Sequence, residues 1–320
     1  MILWSGVPGS IPCLIACDFE VCILDGLLPV DKPKGITSHD VVDRVRRICG
    51  LKKVGHTGTL DPMATGVLVL CLGTATRLSR FLVGHDKCYR AQIHLGVTTD
   101  TLDAEGQETG CSEQVPETID QILPHLQHFI GEIEQIPPMY SARKIGGTRL
   151  YQMARKGQEV ERKAQKVFMH RLEALSYIPP LLTLDMTCSS GTYVRTLADD
   201  LGQSLGCGGH LSGLRRTSLG PVSLASCISL DCLASMDADR LQGMVIEPNV
   251  ALKSMPSRHL NGEEQVRFQH GNPIPVLNMP FQEQAFVRAL DVHGRLLGIA
   301  KWDGQVALLR PVCVFPNQEG

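Results

Sequence analysis

Aromatic residues are scarce in this chain, 5% of 320 residues, and no apolar run reaches the length of a membrane span. The missing run excludes a transmembrane helix, which needs about 20 predominantly apolar residues in succession. Net charge is nearly absent too: 31 Lys and Arg stand against 33 Asp and Glu. That balance excludes capture of a polyanion by overall charge and leaves the task to local patches. The 12 cysteines include no CxxC pair. Cys13 with Cys17 and Cys227 with Cys232 come nearest, and neither has companions at zinc-ligand spacing. A chain long enough to bury a full core does not need a disulfide framework, so free thiols and a cytoplasmic setting are expected. Neither a phosphate-cradling Gly-Lys-Ser/Thr nor a GxGxxG between strand and helix occurs, which counts against a nucleotide-binding transferase. No metal, no cofactor and no membrane partner are expected.

The chain has room for about two domains. Residues 1–25 are apolar and cysteine-rich, without the basic flank of a signal peptide or a helical period, and read as a poorly ordered extension. Leu27 to Val30 reads as a strand. Ser38 then offers a cap for a helix whose apolar stripe is Val41, Val42, Val45 and Ile48, with Gly50 at its end. Val67 to Leu72 is an unbroken apolar strand, Arg77 to Val83 a helix, and Tyr89 to Leu95 a half-buried strand with alternating polarity. Thr118 to Ile130 predicts an amphipathic helix. Val167 to Ile178 and Leu181 to Cys188 predict two strands joined by Pro179-Pro180. Ser189 or Ser190 can cap a helix from Thr192 to Leu205, followed by strands near Leu211 to Thr217 and Val222 to Cys227. From Pro248 the segments shorten and turn residues recur, which predicts a small all-β domain.

The segment richest in chemistry is Gly55-His56-Thr57-Gly58-Thr59-Leu60-Asp61-Pro62-Met63-Ala64-Thr65-Gly66. It places an acid and a histidine in a loop of small residues between two strand signals, where a sheet can brace reactive groups. Pro62 biases Asp61 toward an extended backbone, which gives the carboxylate a defined direction. An isolated Asp-Pro would ordinarily be a simple turn. A second feature is the basic run Arg143, Lys144, Arg149, Arg155, Lys156, Arg162, Lys163, Lys166 and Arg171, opposed only by Glu159 and Glu161. Gly146, Gly147 and Gly157 suit a loop that closes on an anion.

Four blocks together carry a resemblance. They are Asp31-Lys32-Pro33-Lys34-Gly35-Ile36-Thr37-Ser38, Gly55 to Leu68, Pro137-Pro138-Met139-Tyr140-Ser141-Ala142-Arg143-Lys144, and Ser190-Gly191-Thr192-Tyr193-Val194-Arg195-Thr196-Leu197. In this order and near this spacing they resemble the bacterial TruB family of tRNA pseudouridine synthases, from about Gly26 to the C-terminus. The resemblance implies a mixed α/β (α+β) pseudouridine synthase fold with a largely antiparallel sheet over residues 26–247. It implies a basic RNA-clamping insertion at about 138–171. The tail over 248–320 is similar to a small PUA-like RNA-binding β-barrel. The implied substrate is uridine 55 in the T-loop of tRNA, isomerised by a monomer that breaks the N1–C1′ bond and rejoins the base through C5. No redox step is implied.

By the same resemblance Asp61 is the essential carboxylate. It could add to the base, add to C1′, or take a ribose proton, and the residues leave all three routes open. Each route needs an ionised carboxylate in a dry site, where burial alone would raise its pKa, so a cation must hold it charged. Arg195 matches the family arginine that pairs with it, with a fork suited to a carboxylate. Tyr89 matches the tyrosine that stacks on the target base, and its hydroxyl is a candidate for the proton transfer at C5. Tyr193 and Leu214 match positions lining the uracil pocket, although Gly208 to Gly213 is richer in glycine than the family pattern. His56 matches the histidine that fills the place of the flipped-out uridine, a flip costing a few kcal/mol. Lys32 could neutralise a phosphate or brace the site. Arg143 and Lys144 head the segment that closes over the T-arm, where phosphate contacts make affinity salt-dependent. The rival reading is a non-catalytic RNA-binding protein or tRNA folding chaperone on the same scaffold.

Overall fold

The computed structural model describes residues 24–315, apart from Ala142, Arg155, Glu159, residues 277–279 and Phe281. The expected extension at 1–25 lies, but for its last two residues, outside the described residues, and so does Arg155.

The described residues begin with β1 (Gly26–Lys32), α1 (Ser38–Ile48), β2 (Val54–His56) and β3 (Thr65–Leu72). A 3-10 turn and α2 (Ser79–Leu82) lead to β4 (Lys87–Leu95) and a hairpin of β5 (Val97–Thr99) and β6 (Glu108–Cys111). Then come α3 (Leu123–Gln127), β7 (Gly131–Gln135), a second hairpin of β8 (Lys144–Ile145) and β9 (Thr148–Arg149), and α4 (Leu150–Ala154). The long β10 (Gln165–Ile178), β11 (Leu181–Cys188), α5 (Val194–Ser204) and β12 (Gly209–Leu219) follow, with short β13 (Val222–Ser223) and β14 (Ile228–Ser229). The main sheet runs β14-β1-β3-β12-β4-β11-β10-β7. Its neighbours are antiparallel except at β1–β14 and β3–β12, so the sheet is largely antiparallel as expected.

Local rules account for the helix ends, with corrections. The cap of α1 is Thr37, not Ser38: Thr37 accepts from the Asp40 amide while Asp40 accepts from the Thr37 amide, a reciprocal capping box. Ser38 is the first helical residue and is buried. Its hydroxyl donates to the Leu60 carbonyl at 3.0 Å and accepts from the Leu60 amide at 2.8 Å, tying α1 to the Asp61 loop. The helix expected over 118–130 is split into a 3-10 turn and α3, because Pro124 in the first turn of α3 lacks an amide proton and disfavours helical backbone before it. α5 starts at Val194, and its N-cap is Tyr193 rather than either serine.

Beyond α6 (Leu230–Ala234), α7 (Ala238–Met244) and α8 (Pro248–Ala251) lies a second sheet. It contains β15 (Ser257–His259), β16 (Ile274–Pro275), β17 (Phe286–Leu290), β18 (Leu296–Asp303) and β19 (Leu308–Val314), in the order β15-β17-β18-β19-β16. These strands form a curled half-barrel, consistent with a PUA-like module. The module is not all-β: α9 (Gly262–Gln269) is capped by Asn261 and buries Phe268 against the strands.

Side-chain alternation gives the main sheet two apolar faces. Leu28, Val30, Leu68, Leu70, Ala91 and Ile93 join the core that includes Val41 of α1 and Leu197 of α5. Leu27, Val67, Val69 and Cys71 point the other way and pack with Ala251, Leu252, Ile299 and Cys313, so the second sheet is anchored on the back of β1 and β3. Arg77 and Arg80 reinforce this contact by donating to the Val314 and Val312 carbonyls. The described cysteines are free thiols. Among the described residues no helix is long and apolar enough to cross a membrane.

Candidate active site

Arg195 is the hub of the site. It lies in the first turn of α5 with only 7% of its side chain exposed. Its Nε is 3.1 Å from Asp61 Oδ2, and its Nη1 is 3.3 Å from Asp103 Oδ2. The remaining fork donates to the carbonyls of Thr101 at 3.1 Å and Tyr140 at 2.7 Å. The Asp61–Arg195 pair anticipated from sequence is therefore formed. Asp103 was not anticipated. Its only trace in the sequence is an acid-rich turn, Asp100 to Glu105, between two strand signals.

The turn that delivers Asp103 is strained and pinned. Leu102 adopts φ +62°, which costs a residue with a Cβ about 1–2 kcal/mol. Backbone bonds from Leu211 to the Leu102 carbonyl and from Ala104 to the Leu211 carbonyl hold it against β12. The Asp103 Oδ1 accepts from the Thr101 hydroxyl at 2.6 Å and the Glu105 amide at 3.1 Å, which leaves Oδ2 for Arg195.

Burial pushes the Asp61 carboxyl above the ordinary carboxylate range. The Arg195 guanidinium pulls it back, the Asp103 charge adds to the rise, and the Lys32 ammonium opposes it. Although ringed by protein, Asp61 keeps 37% of its side chain open, which is where a substrate can reach it. Lys32 is wholly buried. Its Nζ donates to the carbonyls of Ala64 at 2.6 Å, Pro33 at 3.0 Å and Pro62 at 3.2 Å. A phosphate has no access to it, so of its two expected roles only bracing fits. Burial also lowers its pKa to about 8, with Asp61 acting in the opposite direction.

Tyr89 is buried on β4, directly opposite Arg216 of β12 and Met186 of β11. Leu214 is half-buried opposite Ala91, two residues from Arg216 on the same strand. Tyr193 is clamped through its backbone by buried Gln135, whose Oε1 accepts from the Tyr193 amide at 2.9 Å and whose Nε2 donates to its carbonyl at 3.2 Å. Gln135 was missed in the sequence because nothing there links it to a residue 58 positions away. His56 ends β2, half-buried and in register with Leu70. Arg143 is exposed just ahead of the β8–β9 hairpin, and Lys144 lies in β8. Gly146 and Gly147 both take positive φ, as a two-residue hairpin turn requires. Gly146 and Gly147 thus form the turn of a hairpin within the basic segment. The base of this segment touches the site through the Tyr140 carbonyl on Arg195.

Gly66 joins the Asp61 loop to β3 at φ +102°, and a Cβ there would lie 2.2 Å from the Arg216 carbonyl. Gly66→Ala is expected to cost about 3 kcal/mol from crowding plus backbone strain. Chemical denaturation checks this, and an unchanged midpoint would show that the junction relaxes freely.

The whole structure is similar to that of an H/ACA RNP bound to a substrate RNA containing 2′-deoxyuridine, with TM-score 0.71 and 25% identity over 93% of this chain and 87% of that one. It is equally similar to a Cbf5-Nop10-Gar1 complex chain, with TM-score 0.71 and 26% identity over 93% and 86%. The fold and the relatives together define an enzyme of the pseudouridine synthase class. Residues 46–194 match the TruB family pseudouridylate synthase (N terminal domain), and residues 195–252 match the tRNA pseudouridylate synthase B C-terminal domain. The tRNA pseudouridine synthase B of Ralstonia nicotianae is 43% identical over 295 residues, 89% of this chain and 92% of that protein. The Symbiobacterium thermophilum protein of the same name is 49% identical over 251 residues, 78% and 82%. The chain belongs to the TruB family of tRNA pseudouridine synthases, isomerases that convert uridine in tRNA to pseudouridine.

Proposed function

We propose that the target is uridine 55 in the T-loop of tRNA and that Asp61, Tyr89 and Arg195 carry the chemistry. The observation that supports this best is a part-open carboxylate 3.1 Å from a buried guanidinium. Such a pair keeps Asp61 charged in a dry site, which every route to glycosidic cleavage needs. Tyr89 stacks on the extruded base and takes the C5 proton. Tyr193 and Leu214 wall the uracil pocket, and His56 fills the gap left in the tRNA loop. Lys32 braces the Asp61 loop. The protein acts as a cytoplasmic monomer, with catalytic residues 26–247 and an RNA-binding module at 248–320.

Arg143 and Lys144, together with Arg155, hold the T-arm phosphates. Reversing all three charges is expected to raise KM for tRNA about tenfold or more while kcat changes little, because phosphate contacts supply affinity and not chemistry. Steady-state kinetics decide, and a fall in kcat at constant KM would remove the docking role. The test of the whole reading is an unmodified tRNA transcript treated with purified protein, with pseudouridine mapped at nucleotide resolution. Modification only at another position would overturn the assignment to uridine 55.

A further inference from the structure

Arg216 is among the most deeply buried large side chains of the molecule, with 1% of its surface exposed. Its fork donates to neutral acceptors: Nε to the Val67 carbonyl at 2.6 Å, Nη2 to Gly58 at 3.1 Å and Nη1 to Thr59 at 3.5 Å. Gly58 and Thr59 precede Asp61 and Val67 follows it, so one guanidinium ties both ends of the catalytic loop. Among the ion pairs of the described residues none gives Arg216 an acidic partner. A buried cation without a counter-charge is expensive, and bracing three carbonyls needs donors but no charge. The charge therefore calls for a separate explanation.

The register supplies it. Arg216 and Tyr89 are direct cross-strand partners on β12 and β4, so their side chains share a face. On that face the Arg216 guanidinium favours the ionised form of the Tyr89 hydroxyl. We infer that Arg216 is a positioning residue for the C5 proton transfer, holding the Tyr89 oxygen in place and supplying the positive charge that allows it to act as a phenolate. This rests on the reading that Tyr89 takes that proton.

The chemistry balances. Once C5 has bonded to C1′, C5 still carries its hydrogen and N1 is part of an imine with C6. The Tyr89 phenolate takes the C5 proton, and the C5–H pair becomes the C5=C6 double bond. The C6=N1 π pair moves to N1, which takes a proton from solvent as the Tyr89 phenol returns one to solvent. A phenolate in a buried site needs a neighbouring positive charge. The other groups facing Tyr89 are unhelpful: Cys188 of β11 and Asp61 both disfavour its ionisation, while Lys87, two residues before Tyr89 on β4, has its own pKa lowered to about 8 by burial and by Arg216. Burial pushes the Tyr89 hydroxyl above its ordinary value, and Arg216 is what acts against that rise.

The test uses the full-length enzyme and tRNA carrying either uridine or 5-deuterouridine, in single-turnover experiments across pH. Arg216→Gln is expected to slow turnover about 10²-fold, the ordinary worth of an acid–base contribution. Its deuterium isotope effect should exceed that of the unsubstituted enzyme, because C5 deprotonation becomes limiting. Its rate should keep rising at alkaline pH beyond the point where the unsubstituted enzyme levels off, because the hydroxyl without the cation ionises later. Arg216→Lys keeps the charge and should return part of the rate with a smaller isotope effect. Slowing without an isotope effect and with an unshifted alkaline limb would reduce Arg216 to a brace and overturn the inference. If the glutamine variant fails to fold, the alkaline limb of the lysine variant decides: lysine keeps the charge, so a limb displaced well above that of the unsubstituted enzyme sinks the charge role. Tyr89→Phe run alongside separates the two readings. No isotope effect in Tyr89→Phe removes the role of Tyr89, whereas an effect there and none in Arg216→Gln removes only that of Arg216.

Discussion

Asp61→Asn is expected to lower kcat by about 10⁴-fold or more, the scale seen when a group that acts on the reacting bond is lost. The amide has the shape of the carboxylate but neither adds to carbon nor accepts a proton usefully at neutral pH. The fold should survive, because Arg195 keeps Asp103 and the carbonyls of Thr101 and Tyr140 as partners. Asp61 is also raised in pKa by its burial, so its neutral replacement removes a charge the fold already disfavours. Tritium release from C5-labelled uridine in tRNA measures the loss, and thermal unfolding confirms that the scaffold is intact. Turnover that persists in this variant would sink the assignment of Asp61. A tRNA chaperone on this scaffold would keep its full activity.

Arg195→Gln carries the second large effect, and it has two parts. Asp103 is buried and loses its cation, and breaking a buried pair of this kind costs about 3–5 kcal/mol. The variant should therefore unfold at distinctly lower temperature. The second part is a pH shift with a definite sign. Activity needs charged Asp61, whose carboxyl is pushed up by burial and held down by Arg195. Removing the guanidinium lets the pKa rise further, so the acid limb of the rate profile moves to higher pH. Asp103→Asn acts with the opposite sign at Asp61, since it removes a like charge that adds to the rise. Single-turnover profiles of both variants check this, and an acid limb moving to lower pH in Arg195→Gln would contradict the electrostatic account.

Much of the site was legible because it is local. Asp61 is picked out by the resemblance its contiguous loop carries, and the proline after it acts on the backbone at the next position. Strands were legible from unbroken or alternating apolar runs, as in Val67 to Leu72 and Tyr89 to Leu95. Helix ends were less so: Thr37 and Ser38 are both capable caps, and which one served depended on Ser38 finding the Leu60 backbone 22 residues away. For Lys32 the sequence leaves phosphate neutralisation and bracing both open, and only the three carbonyls around its ammonium separate them. Asp103 and Gln135 act on residues of α5 and its cap that are far off in sequence.

Sequence alone determined the family blocks, the loop that bears the carboxylate and the identity of its arginine. Tertiary structure decided which of two adjacent arginines serves the site. Arg215 and Arg216 look equivalent in the chain, yet successive strand residues point to opposite faces. The pairing of β12 with β4 sets Arg216 beside Tyr89, while Arg215 reaches Asp31 at 2.7 Å on the other side, 39% exposed. A slip of one residue in that register would exchange their roles, and register is a property of the assembled sheet, set by strands more than a hundred residues apart.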